Sequence, residues 1–156
     1  MADKQRTIVV AMDGSEHAVN AFKWFCKSIK RDDDQVVMVY SVEVYDPMYA
    51  TQWFNVPYSV DRTALKAMLE KHAEEVKKKL EQFAEIMRAE HASGKVRSTH
   101  AEKPGEGILK TAKDLNADMI VLGTRGMGTI RRTILGSVSD YVLHHSPVPV
   151  IICPPK

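Results

Sequence analysis

Residues 118–139 read DMIVLGTRGMGTIRRTILGSVS: an apolar run that stops at Gly123, a glycine-bearing loop, and a restart at Gly136 and Ser137. Asp118 to Leu122 has the unbroken apolar character of a strand buried on both faces. A strand that ends at glycine, loops and restarts as a helix presents unpaired backbone N–H groups and the positive end of a helix dipole. The spacing G-x-x-G, nine residues, then G-S suits an anion held by main-chain amides, a phosphate above all. Ordinary loop glycines are the plain alternative.

Upstream, Thr7 to Met12 is a second apolar run, ending at Asp13-Gly14-Ser15 and leading into a helix over Glu16 to Ile29 with Ala18, Phe22, Phe25 and Ile29 on one face. Trp24 falls off that stripe. Gln35 to Val44 reads as a third strand, with Val36 to Tyr40 buried on both faces. Asp32, Asp33 and Asp34 precede it, at the end of a strand where open α/β sheets rarely bind ligands, and read as a solvated turn. Apolar residues at 65, 69, 73, 76, 80, 83 and 87 predict a long sheet-covering helix, capped by Asp61, with Glu74–Lys78 and Glu75–Lys79 pairs on its wet face. A weaker edge strand over Lys95 to Ala101, a turn at Pro104-Gly105 and a helix over Glu106 to Leu115 follow. A helix over Ser137 to His144 and a last strand over Val148 to Cys153 complete the chain. Alternating strands and helices predict an α/β fold of one domain: a single, doubly wound, five-stranded parallel sheet with helices on both faces.

Composition bounds the function. The 156 residues carry 22 basic and 20 acidic side chains, a net charge of +2, which gives no general attraction for nucleic acid or membrane. Cys26 and Cys153 have no ligand spacing and read as reduced, buried thiols. The opening residues contain no signal or membrane-spanning segment, which points to the cytoplasm.

Doubly wound sheets bind ligands outside the carboxyl ends of strands where the strand order reverses. If the strands ending at Met12 and Gly123 are neighbours, the loop from Met12 to Ser15 and the loop from Gly123 to Ser137 form opposite walls of one crevice. Asp13 suits a ribose or adenine hydrogen bond, or acts as acceptor for the N–H groups of its own turn. Ser137 and Ser139 supply hydroxyls, and Arg125 is a candidate phosphate contact beside Arg131 and Arg132. No GxxxxGK[ST] run, GxSxG elbow or HExxH helix occurs, which argues against fast phosphoryl transfer and favours a nucleotide-binding module; slow ATP hydrolysis or adenylyl transfer on a related nucleotide-binding α/β fold, and a non-binding dimeric interaction module, are the alternatives. A phospho-acceptor receiver wants an aspartate ending its third strand and a lysine ending its fifth, and Ser98 to Ala101 and Ile152 to Pro154 supply neither. Tyr45, Tyr49, Trp53, Phe54 and Tyr58 cluster after the Gln35 to Val44 strand, as a lid or as a packed loop.

On these residues the chain resembles the universal stress proteins, in particular their ATP-binding branch. The resemblance runs through Ala11-Met12-Asp13-Gly14-Ser15, Ala21-Phe22-Lys23-Trp24, Gly123-Thr124-Arg125-Gly126, Leu135-Gly136-Ser137-Val138-Ser139 and Ser146-Pro147-Val148-Pro149-Val150. It implies a sheet order of 3-2-1-4-5 and ATP or AMP as ligand, with Mg²⁺ or Mn²⁺ carried in by the nucleotide. It implies a nucleotide set of Asp13 beside Met12 near the ribose, the Val42 backbone facing adenine, and Leu122 and Gly123 beginning the wall. Gly126, Gly136, Ser137, Val138 and Ser139 would line the phosphates, with no catalytic residue and no protein metal ligand. It also implies a homodimer through Val148 to Ile152, where Pro149 interrupts the donor row of an edge strand. The aromatic segment is where this sequence departs from the family pattern.

Overall fold

The computed structural model describes residues 4–43, 62–124 and 135–155. Arg125, Gly126, Arg131, Arg132, Asp61 and the aromatic stretch from Tyr45 to Tyr58 lie outside them. In chain order the elements are β1 (Thr7–Ala11), α1 (Glu16–Ser28), β2 (Gln35–Glu43), α2 (Arg62–Ala89), β3 (Gly94–Ala101), α3 (Pro104–Asp114), β4 (Met119–Gly123), α4 (Ser137–His145) and β5 (Val150–Cys153). The sheet is parallel throughout with the order β3-β2-β1-β4-β5, as the resemblance implied.

The apolar runs become central strands because side-chain alternation sends each strand into two cores at once. Ile8, Val10, Val36 and Met38 pack under α1 and α2 with Phe22, Phe25, Phe83 and Met87. Val9, Val37, Val39, Ile120 and Leu122 pack under α3 and α4 with Ile108, Ala112 and Val142. The order reverses between β1, which pairs with β2, and β4, which pairs with β1 on its other side. That places the carboxyl ends of β1 and β4 side by side, the usual ligand position in such sheets.

The aspartate turn is not uniformly solvated. Asp32 and Asp33 are exposed, whereas Asp34 is buried and clamped by Arg6, whose Nε and a terminal nitrogen donate to its two oxygens at 2.8 and 2.7 Å. The Arg31 N–H donates to it as well, at 2.8 Å. Burial alone pushes the Asp34 carboxyl upward, but the hydrogen bonds and charges of Arg6 and Arg31 outweigh it and hold its pKa below the ordinary carboxylate value. The chain thus enters β1 and β2 through one ion pair.

The long amphipathic helix covers the sheet only with its second half. Phe83 and Met87 are buried, but Met68 and Leu69 are 52% and 57% exposed. Length is the reason: the 28 residues of α2 run about 42 Å, while the 8 residues of its neighbour β3 span about 26 Å. The first half therefore overshoots the strand ends. Neither Glu74–Lys78 nor Glu75–Lys79 closes to ion-pair distance, and the i,i+4 pair on the described part of α2 is Lys66–Glu70 at 4.0 Å. No helix among the described residues is long and apolar enough to cross a membrane.

Candidate functional site

The first wall starts where β1 gives out. Met12 N–H still donates to Val39 O at 2.9 Å, after which Asp13 turns away from the sheet. Asp13 Oδ1 accepts from the Ser15 N–H at 2.8 Å, and Gly14 takes φ +84°, a conformation that costs glycine little. Ser15 caps α1, its Oγ accepting from Ala18 N–H at 3.2 Å. Of the two roles open to Asp13, the turn acceptor is filled by one oxygen. Among the described residues the other oxygen makes no hydrogen bond.

The second wall is a neck. Thr124 O accepts from Gly136 N–H at 2.7 Å and from Ser139 Oγ at 3.0 Å, so the residues on either side of positions 125–134 are tied together. Ser139 Oγ lies 2.9 Å from Gly136 O as well, and the side chain is buried. Its single proton is therefore shared between two carbonyls, which leaves the hydroxyl only acceptor capacity toward a ligand. Gly136 is the N-cap of α4 in extended conformation, with no side-chain cap. The first-turn amides of α4, beginning at Ser137, consequently have neither an intrahelical partner nor a capping oxygen.

Between these walls lies a crevice of about 540 Å³, a size suited to a small-molecule ligand. Met12, Asp13, Val42, Leu122, Gly123, Gly136, Ser137, Val138 and Ser139 all line it, so the sequence-derived set meets in one place, Gly126 and Arg125 lying outside the described residues. Sequence reasoning missed Ser41, His72, Lys79, Pro104 and Ile108, which line the same crevice. Pro104 and Ile108 arrive with the amino end of α3, a third loop at a strand's carboxyl end whose Pro104-Gly105 turn was legible but not connected to the other two. His72 arrives from the first half of α2, and Lys79 from the second half, where its head meets Tyr40 of β2.

Two buried hydroxyls on crevice-lining residues, Ser41 Oγ and Thr124 Oγ1, have no hydrogen-bond partner. Each costs about 1–3 kcal/mol while unpaired, a cost that a polar ligand reached by a small side-chain rotation would relieve. Among the described residues no group of three or more His, Cys, Asp or Glu is gathered to hold a metal ion. Cys26 and Cys153 are free thiols outside the crevice; burial pushes both upward, Cys26 to about 11.

The family model that describes the universal stress proteins matches residues 5–154, almost the whole chain. The chain belongs to the universal stress protein family. A universal stress protein of Thermus aquaticus is 31% identical over 147 residues, covering 94% of this chain and 97% of that one. Among solved structures, a hypothetical protein studied for structure-based assignment of its biochemical function superposes with TM-score 0.73 at 23% identity, covering 97% of this chain and 96% of that one. A universal stress protein in complex with cAMP gives 0.64 at 20% identity, covering 97% and 98%. A universal stress protein from Archaeoglobus fulgidus in complex with dAMP gives 0.59 at 22%, covering 95% and 96%. At these identities the structural likenesses establish the fold.

Proposed function

We propose that this universal stress protein binds an adenine nucleotide, ATP or AMP, in the crevice between Asp13 and the amino end of α4. The observation that carries the reading is the pairing of an acceptor wall with a donor wall: Asp13, one carboxylate oxygen of which makes no hydrogen bond among the described residues, and the first turn of α4, which its N-cap leaves without a side-chain cap, line the same crevice. Phosphate belongs at the donor wall, because amides and helix dipole both favour anions there. Ribose hydroxyls belong at the acceptor wall, and the base lies toward Val42. The family relatives crystallised with cAMP and dAMP support an adenine nucleotide as ligand class.

Binding is the output in this reading, as a stress-response or signalling module acting in the cytoplasm as a homodimer. A divalent ion, Mg²⁺ or Mn²⁺, enters on the nucleotide's own phosphates, since Asp13 and Glu43, the carboxylates among the described lining residues, stand on different strand ends.

Titration calorimetry with ATP, AMP and GTP tests the proposal. Saturable binding of ATP or AMP, weakened at least tenfold by Gly136→Val, is the expected result. No heat with either adenine nucleotide removes it and leaves a dimeric interaction module as the surviving description. Turnover of Mg²⁺-ATP that vanishes in the same variant favours a hydrolase instead.

A further inference from the structure

We propose that Lys79 and Tyr40 form a second anion-holding pole in the crevice, and that it selects adenine nucleotides carrying a further phosphate on the ribose 2′ or 3′ hydroxyl. The inference rests on the nucleotide reading above and extends it to ligand class.

Lys79 is half-buried in the crevice wall, and among the described residues no carboxylate stands within ion-pair distance of it, although Glu75 lies one helical turn away. Its Nζ donates to the Tyr40 hydroxyl at 3.1 Å and lies 4.9 Å from the centre of the Tyr40 ring. A partly desolvated ammonium held by a phenol and a π-face alone has attraction to spare for an anion. The donor count agrees. One of three ammonium protons is used, and Tyr40, which accepts in that bond, keeps its own proton free to donate. Phe83 braces the Tyr40 ring edge-on at 5.7 Å and 74°, so the ring that carries the pole is fixed before any ligand arrives.

Position decides which phosphate the pole meets. Ala11 pairs with Val39, so Tyr40 stands level with Met12, one residue short of Asp13 and one strand away. Tyr40 packs on the α1 and α2 side of the sheet. The amino end of α4 lies beyond β4, and Val138 belongs to the core of the opposite side. The two donor poles are therefore diagonal, with Asp13 between them. A 5′ phosphate on the α4 amides and a ribose at Asp13 turn the sugar's 2′ and 3′ edge toward β2. One hydroxyl remains for Asp13 and a phosphate on the other reaches Lys79, where it supplies the anion that the lysine lacks.

Calorimetry on the intact protein at fixed salt, with 5′-AMP, adenosine 3′,5′-bisphosphate and adenosine 2′,5′-bisphosphate, tests this. In the unaltered protein one bisphosphate is expected to bind about tenfold more tightly than 5′-AMP, the worth of one charge-assisted hydrogen bond. Lys79→Gln brings that ratio close to one, Lys79→Arg keeps most of it, and Tyr40→Phe, which retains the packing on Phe83, lowers it severalfold. Equal binding of 5′-AMP and both bisphosphates by the unaltered protein overturns the inference while leaving the nucleotide reading intact, as does a preference that survives Lys79→Gln. If none of the three ligands binds, the inference falls, and the nucleotide reading falls with it only where ATP gives no heat either.

Discussion

A Cβ placed on Gly123 would lie 2.9 Å from the carbonyl oxygen of His17 and 3.0 Å from its carbonyl carbon, so the last residue of β4 meets the first turn of α1 backbone to backbone. The glycine that the sequence offers as a phosphate contact has a packing reason of its own. Gly123→Ala forces α1 outward, since neither backbone can rotate away as a side chain does. A loss of about 1–3 kcal/mol is expected. Urea unfolding measures it, and an unchanged midpoint would mean that the two elements can slide apart without cost.

The Arg6–Asp34 clamp gives a pH dependence with a definite sign. The carboxyl is depressed in the folded chain, so the unfolded chain binds its proton first as pH falls. The stabilisation is complete above an unfolded pKa of about 3.9 and is lost as pH drops through the lower folded value. Asp34→Asn removes that acid limb and leaves the half-buried guanidinium unpaired, at a cost of about 2–4 kcal/mol at neutral pH. Denaturant midpoints between pH 2 and pH 7 check both parts. A variant whose midpoint falls as steeply with acid as the parent's contradicts the assignment.

On the proposed nucleotide reading, Ser139 acts through the neck rather than by touching the ligand. Ser139→Ala removes the hydroxyl that bridges Thr124 O and Gly136 O, although both carbonyls retain a backbone donor. A modest destabilisation of about 1 kcal/mol is therefore expected, together with a severalfold loss of ATP affinity as Gly136 loses one of its ties to the neck. Thermal melts and calorimetry on the same preparation separate the roles. Lower affinity at unchanged stability would mean that the hydroxyl touches the ligand directly.

What the sequence made legible follows from which signals are local. Strands buried on both faces announce themselves as apolar runs, and Ser15 announces a cap, so β1, α1, β2 and β4 needed no tertiary knowledge. The crevice walls were legible for the same reason, since Asp13 and Gly136 each sit where a local pattern breaks. Lys79 was not. On the helix it has Glu75 at the favoured spacing, and only the packing of α2 beside β2 shows that its head meets Tyr40 at the crevice instead. Asp34 was misread because three adjacent aspartates look alike until Arg6, 28 residues away, selects one of them. Leu69 carries the same apolar signal as Phe83, yet one is exposed and the other buried, because a helical stripe does not reveal how far the sheet beneath it extends.

The edge of the sheet at β5 carries the last prediction. Val150, Ile151 and Ile152 are only partly buried against their own chain, although all are strongly apolar, and among the described residues β5 has a strand on one side alone. Pro149 O is already used by Ile120 N–H on the β4 side. A second copy, brought up by a two-fold axis, would cover these side chains and match the edge to itself. Sedimentation equilibrium at micromolar concentration is therefore expected to give the mass of two chains. Val150→Lys places a charge on the shared edge and weakens the pair at least tenfold, with a smaller loss of stability in the single chain. A single-chain mass in the unaltered protein at every concentration refutes the pairing, and a two-chain mass unaffected by Val150→Lys moves the interface elsewhere on the surface.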